Sequence, residues 1–285
     1  MRELSIGQCA SLACLLEVSA PKPGNVHRGA DFEDMTFADF AASAVAISPP
    51  MERAAQRRVG QTVLDAIHAT RQVTHANTNL GIVLLLAPLA AVPRDRSLAS
   101  GLAAVLERLT PEDARDVYEA LRIVSPGGLD RDGAAVERHD VHAPPPEDLL
   151  EAMRAAAEWD LVARQYANGF REVFEVVKPW LLQDADRLPL SWRIVHAHVR
   201  MMHEYPDSLI ARKCGQQVAL EAAGYAGQVL GAGPPDSDAY ADALADLDFW
   251  CRCDGHRRNP GTTADLLAAG LFACLRDGEL APPFA

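Results

Sequence analysis

Apolar residues recur along this chain at intervals of three and four, and no stretch shows the period-two alternation of a half-buried strand. Leu4, Cys9, Leu12, Ala13 and Leu16 form the first stripe and predict a helix over 4–17. Thr36 is placed to cap a second helix that runs to about Ile47, with Asp39 in its first turn and Pro49-Pro50 ending it. A longer helix is expected over 52–73, where Val59, Val63, Ala66 and Ile67 keep helical spacing. The run Leu80–Leu89 is apolar all round and too short to span a bilayer, which predicts a buried helix. Helical patterns continue over 97–109, 111–124, 147–183, 190–204, 207–230, 237–252 and 262–276. Thr110-Pro111 opens the second of these, and Asn168-Gly169 breaks the third. The expectation is an all-α fold: one compact domain over 1–285 with about ten helices and functional loops between them.

Polar islands interrupt this pattern, and they hold the candidate chemistry. The first runs from Glu17 to Met35 and packs three basic side chains and four carboxylates into nineteen residues. Pro21 and Pro23 disfavour helix there, and Pro23-Gly24 is a turn dipeptide. The second, Thr74–Asn79 followed by Gly81, sets hydroxyls and amides at the start of the buried helix. It is either an anion cradle or a plain helix cap. The third couples Asp160 and Arg164, four apart and read as a surface ion pair, with Asp207, Arg212 and Lys213 at the start of a later helix. The fourth, Arg257–Leu266, is a Pro-Gly-Thr-Thr turn opening an apolar helix with Asp265 in its first turns. The glycine- and proline-containing stretch over 126–146 is long for a connection and reads as functional or mobile.

Charge and composition narrow the class. A net charge of −12 argues against nucleic acid as a partner, while a local cation pair still allows an anionic small molecule. The six cysteines show no C-x-x-C spacing, which fits a reduced, cytoplasmic protein without a zinc site. No apolar run reaches membrane length, and no Walker loop or dinucleotide fingerprint occurs. Alanine-rich helical faces leave apolar surface enough for a homodimer.

Taken in order, E-x-x-x-PKPGNV…G…DM from Glu17, T-x-x-NTN-x-G from Thr74 and NPGTTADLLAA from Asn259 resemble the triphosphoribosyl-dephospho-CoA synthase family over nearly the whole chain. The chain has Asn79-Leu80 where better-characterised members carry His-Lys, and its Tyr166–Phe170 and Ile210–Gly215 segments resemble a divergent archaeal and bacterial branch. The resemblance implies an all-helical transferase that joins the 5-triphosphoribosyl group of ATP to the 2′-hydroxyl of 3′-dephospho-CoA and releases adenine, with Mg²⁺ as cofactor. On that footing Asp31, Asp34 and Asp265 are expected to hold metal or act as general base, and His27 to protonate the leaving base. Lys22, Gly24, Asn25, Arg28, Asn77, Thr78, Gly81, Arg212, Lys213, Asn259, Gly261, Thr262 and Thr263 are expected to bind phosphate or ribose, with Asp160, Arg164 and Asp207 orienting the cations. Two other classes stay open: a nucleotide-using enzyme of another cofactor pathway, such as tetrahydromethanopterin-linked one-carbon metabolism, and a non-catalytic nucleotide-binding protein.

Overall fold

The computed structural model describes residues 3–124 and 144–284. The stretch over 126–146 singled out above therefore lies almost wholly outside the described residues. Helices start where the chain supplies acceptors for the orphan N–H groups of a first turn. Ser5 and Gln8 close a capping box on α1 (Ile6–Ser19), and Thr36 and Asp39 close another on α2 (Phe37–Ala46). Pro49 and Pro50 do not simply end α2. They sit in the first turn of a short α3 (Ser48–Glu52), where a missing N–H costs nothing. A 3₁₀ turn (Ala54–Gln56) follows, so α4 (Val59–Arg71) begins later than its apolar spacing suggested.

The buried helix is α5 (Leu80–Ala90), in which every residue except Gly81 is buried. It is followed by α6 (Leu98–Leu106), α7 (Pro111–Val124) and α8 (Leu149–Ala156). The span 147–183 is not one helix. Asp160 caps α9 (Leu161–Asn168), Gly169 ends it in the left-handed region at φ 72°, and a π turn (Glu172–Val177) leads into α10 (Lys178–Leu182). Next come α11 (Leu190–Glu204), α12 (Ser208–Cys214) and α13 (Gln216–Gly231), the last two separated by Gly215 at φ 99°. The chain closes with α14 (Asp238–Arg252) and α15 (Gly261–Arg276). These breaks raise the helix number above the ten or so expected, while the all-α class holds; among the described residues the β content is two isolated bridges, His27 with Ala30 and Phe32 with Met35.

The core is built around α15, which packs against α1, α5, α11 and the π turn, and α5 in turn packs against α4 and α6. Each fully buried Leu, Ile or Phe on these helices contributes roughly 1.5–3 kcal/mol of transfer free energy, so α5 and α15 anchor the fold. A smaller apolar cluster joins α11, α13 and α14 through Val199, Met202, Ala226 and Tyr240. Among the described residues no helix is long and apolar enough to cross a membrane. The consequence for function is geometric: the N-termini of α5 and α15 and the polar loops before them meet at one end of the core.

Candidate active site

At that end lies a cavity of about 680 Å³, within the size range of small-molecule sites. Its walls come from the polar islands. The loop after α1 contributes Asn25 and Asp34; the loop before α5 contributes His75, Asn77, Thr78 and Asn79; α12 contributes Arg212 and Lys213; and the start of α15 contributes Asn259, Gly261, Thr262 and Asp265. The lining also includes an apolar group from the α7 and α8 helices, Val117, Tyr118, Leu121, Leu149 and Met153. The polar lining can thus take anionic and hydroxyl groups, and the apolar lining a flat or aliphatic group.

The polar walls are pinned by hydrogen bonds that the motif residues make to one another. The Gly24 N–H donates to Asp248 Oδ1 at 2.7 Å, and Arg252 joins that carboxylate to the Asn25 carbonyl. Asn25 Nδ2 donates to Asn259 Oδ1 at 2.5 Å, tying the first island to the fourth. Gly24 has φ 74°, and a Cβ there would lie 2.7 Å from that of Cys251, so only glycine fits. Asp207 binds the third island to the fourth. Its Oδ1 accepts from the Leu209 and Ile210 N–H groups at the head of α12, and its Oδ2 accepts from Thr263 N–H and Oγ1 at 2.8 Å each. Burial raises its proton affinity, and these donors oppose the rise. In the second island Thr74 Oγ1 donates to Asp39 Oδ1 at 2.8 Å, Thr78 Oγ1 lies 2.6 Å from Ser43 Oγ, and Asn77 Oδ1 accepts weakly from Leu80 N–H. Asp39, accepting from Thr36 as well, is held below the usual carboxylate range by those donors.

Several expected site residues lie outside the cavity. Lys22 is fully buried and ion-paired to Glu17, so it cannot meet a phosphate. His27 accepts from the Gly29 N–H through Nδ1 in a tight turn; burial lowers its proton affinity, and it is not in reach of a leaving base in the cavity. Arg28 is exposed, and Asp31 caps the start of α2 by accepting from the Phe37 N–H at 2.6 Å. Gly24 and Thr263 serve the frame rather than the cavity wall. Asp31, Asp34 and Asp265 therefore do not meet, and among the described residues no group of three or more His, Cys, Asp or Glu forms a metal cluster. Asp160 also departs from its expected partner. It caps α9 and pairs with Arg212, while Arg164 donates to the Ala157 and Glu158 carbonyls.

What remains in the cavity has unused capacity. Asn25 Oδ1 and Arg212 Nε are buried with no hydrogen-bond partner among the described residues. Lys213 forms no ion pair among them, and burial lowers its proton affinity. Asp265 has its carboxyl against Gly81, where a Cβ would come within 2.0 Å of Oδ2, and no protein hydrogen bond engages it among the described residues. Burial raises its proton affinity well above the ordinary value, and the carboxylates of Glu17, Asp207 and Asp160 add to the rise. Sequence reasoning gave no role to Glu17 or His256, both of which line the cavity; His256 Nδ1 lies 3.0 Å from Asp34 Oδ1.

No curated protein matches the chain. The crystal structure of a protein assigned as a triphosphoribosyl-dephospho-CoA synthase from Archaeoglobus fulgidus superposes with a TM-score of 0.63 at 26% identity, covering 83% of this chain and 98% of that one. The family profile described as ATP:dephospho-CoA triphosphoribosyl transferase matches residues 3–283, so the chain belongs to that family of ATP-dependent triphosphoribosyl transferases.

Proposed function

We propose that this cavity carries the family's reaction on ATP and 3′-dephospho-CoA, with Asp265 as the general base. The reaction forms a bond from the acceptor 2′-hydroxyl oxygen to C1′ of the ATP ribose and breaks the C1′–N9 bond to adenine. The hydroxyl releases one proton and the departing base takes up one, so protons balance. Bond breaking at a ribosyl carbon passes through an oxocarbenium-like state, which a carboxylate-lined pocket favours. The observation that carries the reading is Asp265: a carboxyl facing the cavity, without a protein partner among the described residues, and with raised proton affinity. A base of raised pKa is matched to taking a hydroxyl proton near neutral pH.

Lys213 and Arg212 are the cations for the triphosphate, the latter oriented by Asp160. Asn25, Asn77, Thr78, Asn259 and Thr262 supply hydrogen bonds to phosphate or ribose, and the wall from α7 and α8 takes the base. The donor set also fits Mg²⁺, which keeps phosphate oxygens and water as most of its ligands and asks for one or two carboxylates. Asp34, exposed at the rim, would hold it. When bound, the ion neutralises triphosphate charge. The test is direct: the protein with ATP, Mg²⁺ and dephospho-CoA releases free adenine only when the acceptor is present. Asp265→Asn lowers kcat by about 10²–10⁴-fold, the usual worth of a positioned base. ATP binding without acceptor-dependent adenine release overturns the reading.

A further inference from the structure

We infer that Glu17 is a second catalytic residue of this cavity, the anion that stabilises the cationic ribosyl carbon, and that the lysine of the Pro-Lys-Pro-Gly-Asn motif exists to position it. The inference rests on the transferase reading above and adds to it a residue and a division of labour. Lys22 Nζ lies 2.9 Å from Glu17 Oε1, 2.5 Å from the Glu17 carbonyl and 3.4 Å from the Ala20 carbonyl. Three acceptors around one nitrogen call for three N–H donors, which an ammonium has and a neutral amine lacks. The counter-charge to that buried ammonium is Glu17, only 3% exposed and yet part of the cavity lining.

A buried ion pair of this kind is weak evidence for stability, because an apolar pair of the same volume often serves as well. Here it holds a carboxylate in the cavity lining with little exposure to solvent, where a fixed charge acts strongly on a developing cation. Lys22 consumes Oε1, leaving the second carboxylate oxygen without a protein hydrogen bond among the described residues. The two carboxylates that line this part of the cavity differ in what surrounds them. Asp265 on α15 forms no ion pair among the described residues, and its proton affinity is raised first by burial and then by neighbouring carboxylates, Glu17 among them, with Arg212 opposing. Burial raises the proton affinity of Glu17 as well, and the charge and hydrogen bond of Lys22 oppose that rise. Other titratable groups act on these residues: Cys14 on α1, whose thiol is pushed up by burial; His198 on α11, fully buried, with its proton affinity lowered by burial and by Lys22; His27, which also feels Lys22; and Asp207, Asp160 and Arg212, which act on Asp265. The carboxylate held by an ammonium thus acts on the ribosyl carbon, and the one without a paired cation serves the attacking hydroxyl.

Turnover and equilibrium ATP binding, measured side by side, separate this assignment from a structural or phosphate-binding role. Glu17→Gln keeps an oxygen for Lys22 and removes the charge, so kcat falls about 100-fold or more while the ATP dissociation constant stays within about threefold. The double variant Lys22→Met with Glu17→Gln removes both charges and avoids stranding either one. It is expected to bind ATP as tightly as wild type and to lose no more than about threefold further in kcat, because the two residues act as one unit. A kcat of Glu17→Gln within about threefold of wild type, or a double variant with ATP binding weakened more than about tenfold, overturns the inference. Either result, beside a wild type that releases adenine with acceptor, leaves the transferase reading intact. A wild type that releases none removes that reading first, and this assignment with it.

Discussion

Asp207 shows how one residue can bind two distant segments of a helical chain. Its two carboxylate oxygens take four hydrogen bonds, two from the head of α12 and two from Thr263 in α15. Both helices carry cavity residues in their next turns, so this one side chain sets Arg212 and Lys213 relative to Asp265. Its capping role on α12 is legible in the Tyr-Pro-Asp-Ser sequence; its bond to Thr263 is not, since nothing local announces a partner 56 residues away. Asp207→Ala leaves four donors short of a partner and is expected to cost about 2–4 kcal/mol. In a chain of this length that lowers Tm by roughly 3–7 °C. Thermal unfolding followed by far-UV circular dichroism checks it, and an unchanged Tm would show that water replaces the carboxylate without loss. The same limit on local reading explains Asp160. The spacing to Arg164 suggested a helix-face pair, but α9 begins at Leu161, so Asp160 is its cap and points elsewhere. An i,i+4 rule applies only when both residues are inside the helix.

At the scale of elements, apolar spacing located the long helices well, and 111–124 and 190–204 were read to the residue. It failed at joints where helix resumes at once, as at Gly215, because the apolar periodicity barely registers a one-residue break. It also could not say which helix faces approach closely enough to exclude a side chain. The crossing of α4 on α7 is such a place. Gly60 donates its N–H to Asp113 Oδ1 at 2.7 Å, and a Cβ at Gly60 would lie 2.4 Å from the Asp113 carbonyl oxygen. Asp113 also accepts from Thr110 at the start of α7, so the contact fixes where the apolar wall of the cavity stands. Gly60→Ala is expected to push α7 outward at a cost of about 1–3 kcal/mol, the usual range for overpacking. The wall moves while Asp265 and Glu17 do not, so KM for the nucleotide rises several-fold with kcat retained. Steady-state kinetics separate the two constants, and a fall in kcat at constant KM would show that α7 does not bound the nucleotide.

At the scale of the whole molecule the question is why an acidic chain gathers further negative charge inside. Asp265 is raised first by burial and then by Glu17, Asp207 and Asp160, and the cation that opposes them, Arg212, is engaged by Asp160. This arrangement is poor for folding and suits the proton transfer proposed for Asp265, the pattern expected where function is served at the expense of stability. The four islands were visible in the sequence as breaks in periodicity, but the mutual repulsion of their carboxylates depends on the tertiary approach of α1, α9, α12 and α15. The sign of the resulting pH dependence follows from linkage. Because the folded-state pKa of Asp265 is raised, the folded chain binds the proton more tightly than the unfolded one. Stability is then greatest below the ordinary carboxylate pKa and is lost as pH rises through the folded value. Asp265→Asn removes that loss. The variant should match wild type in Tm near pH 4 and exceed it by a margin that widens as pH rises to 7.5, while turning over far more slowly. Tm measured for both proteins from pH 4 to 8 decides the matter: a constant difference across the range would mean that the variant acts through packing, and a lower Tm at neutral pH would mean that the Asp265 carboxylate is stabilised by a partner when ionised.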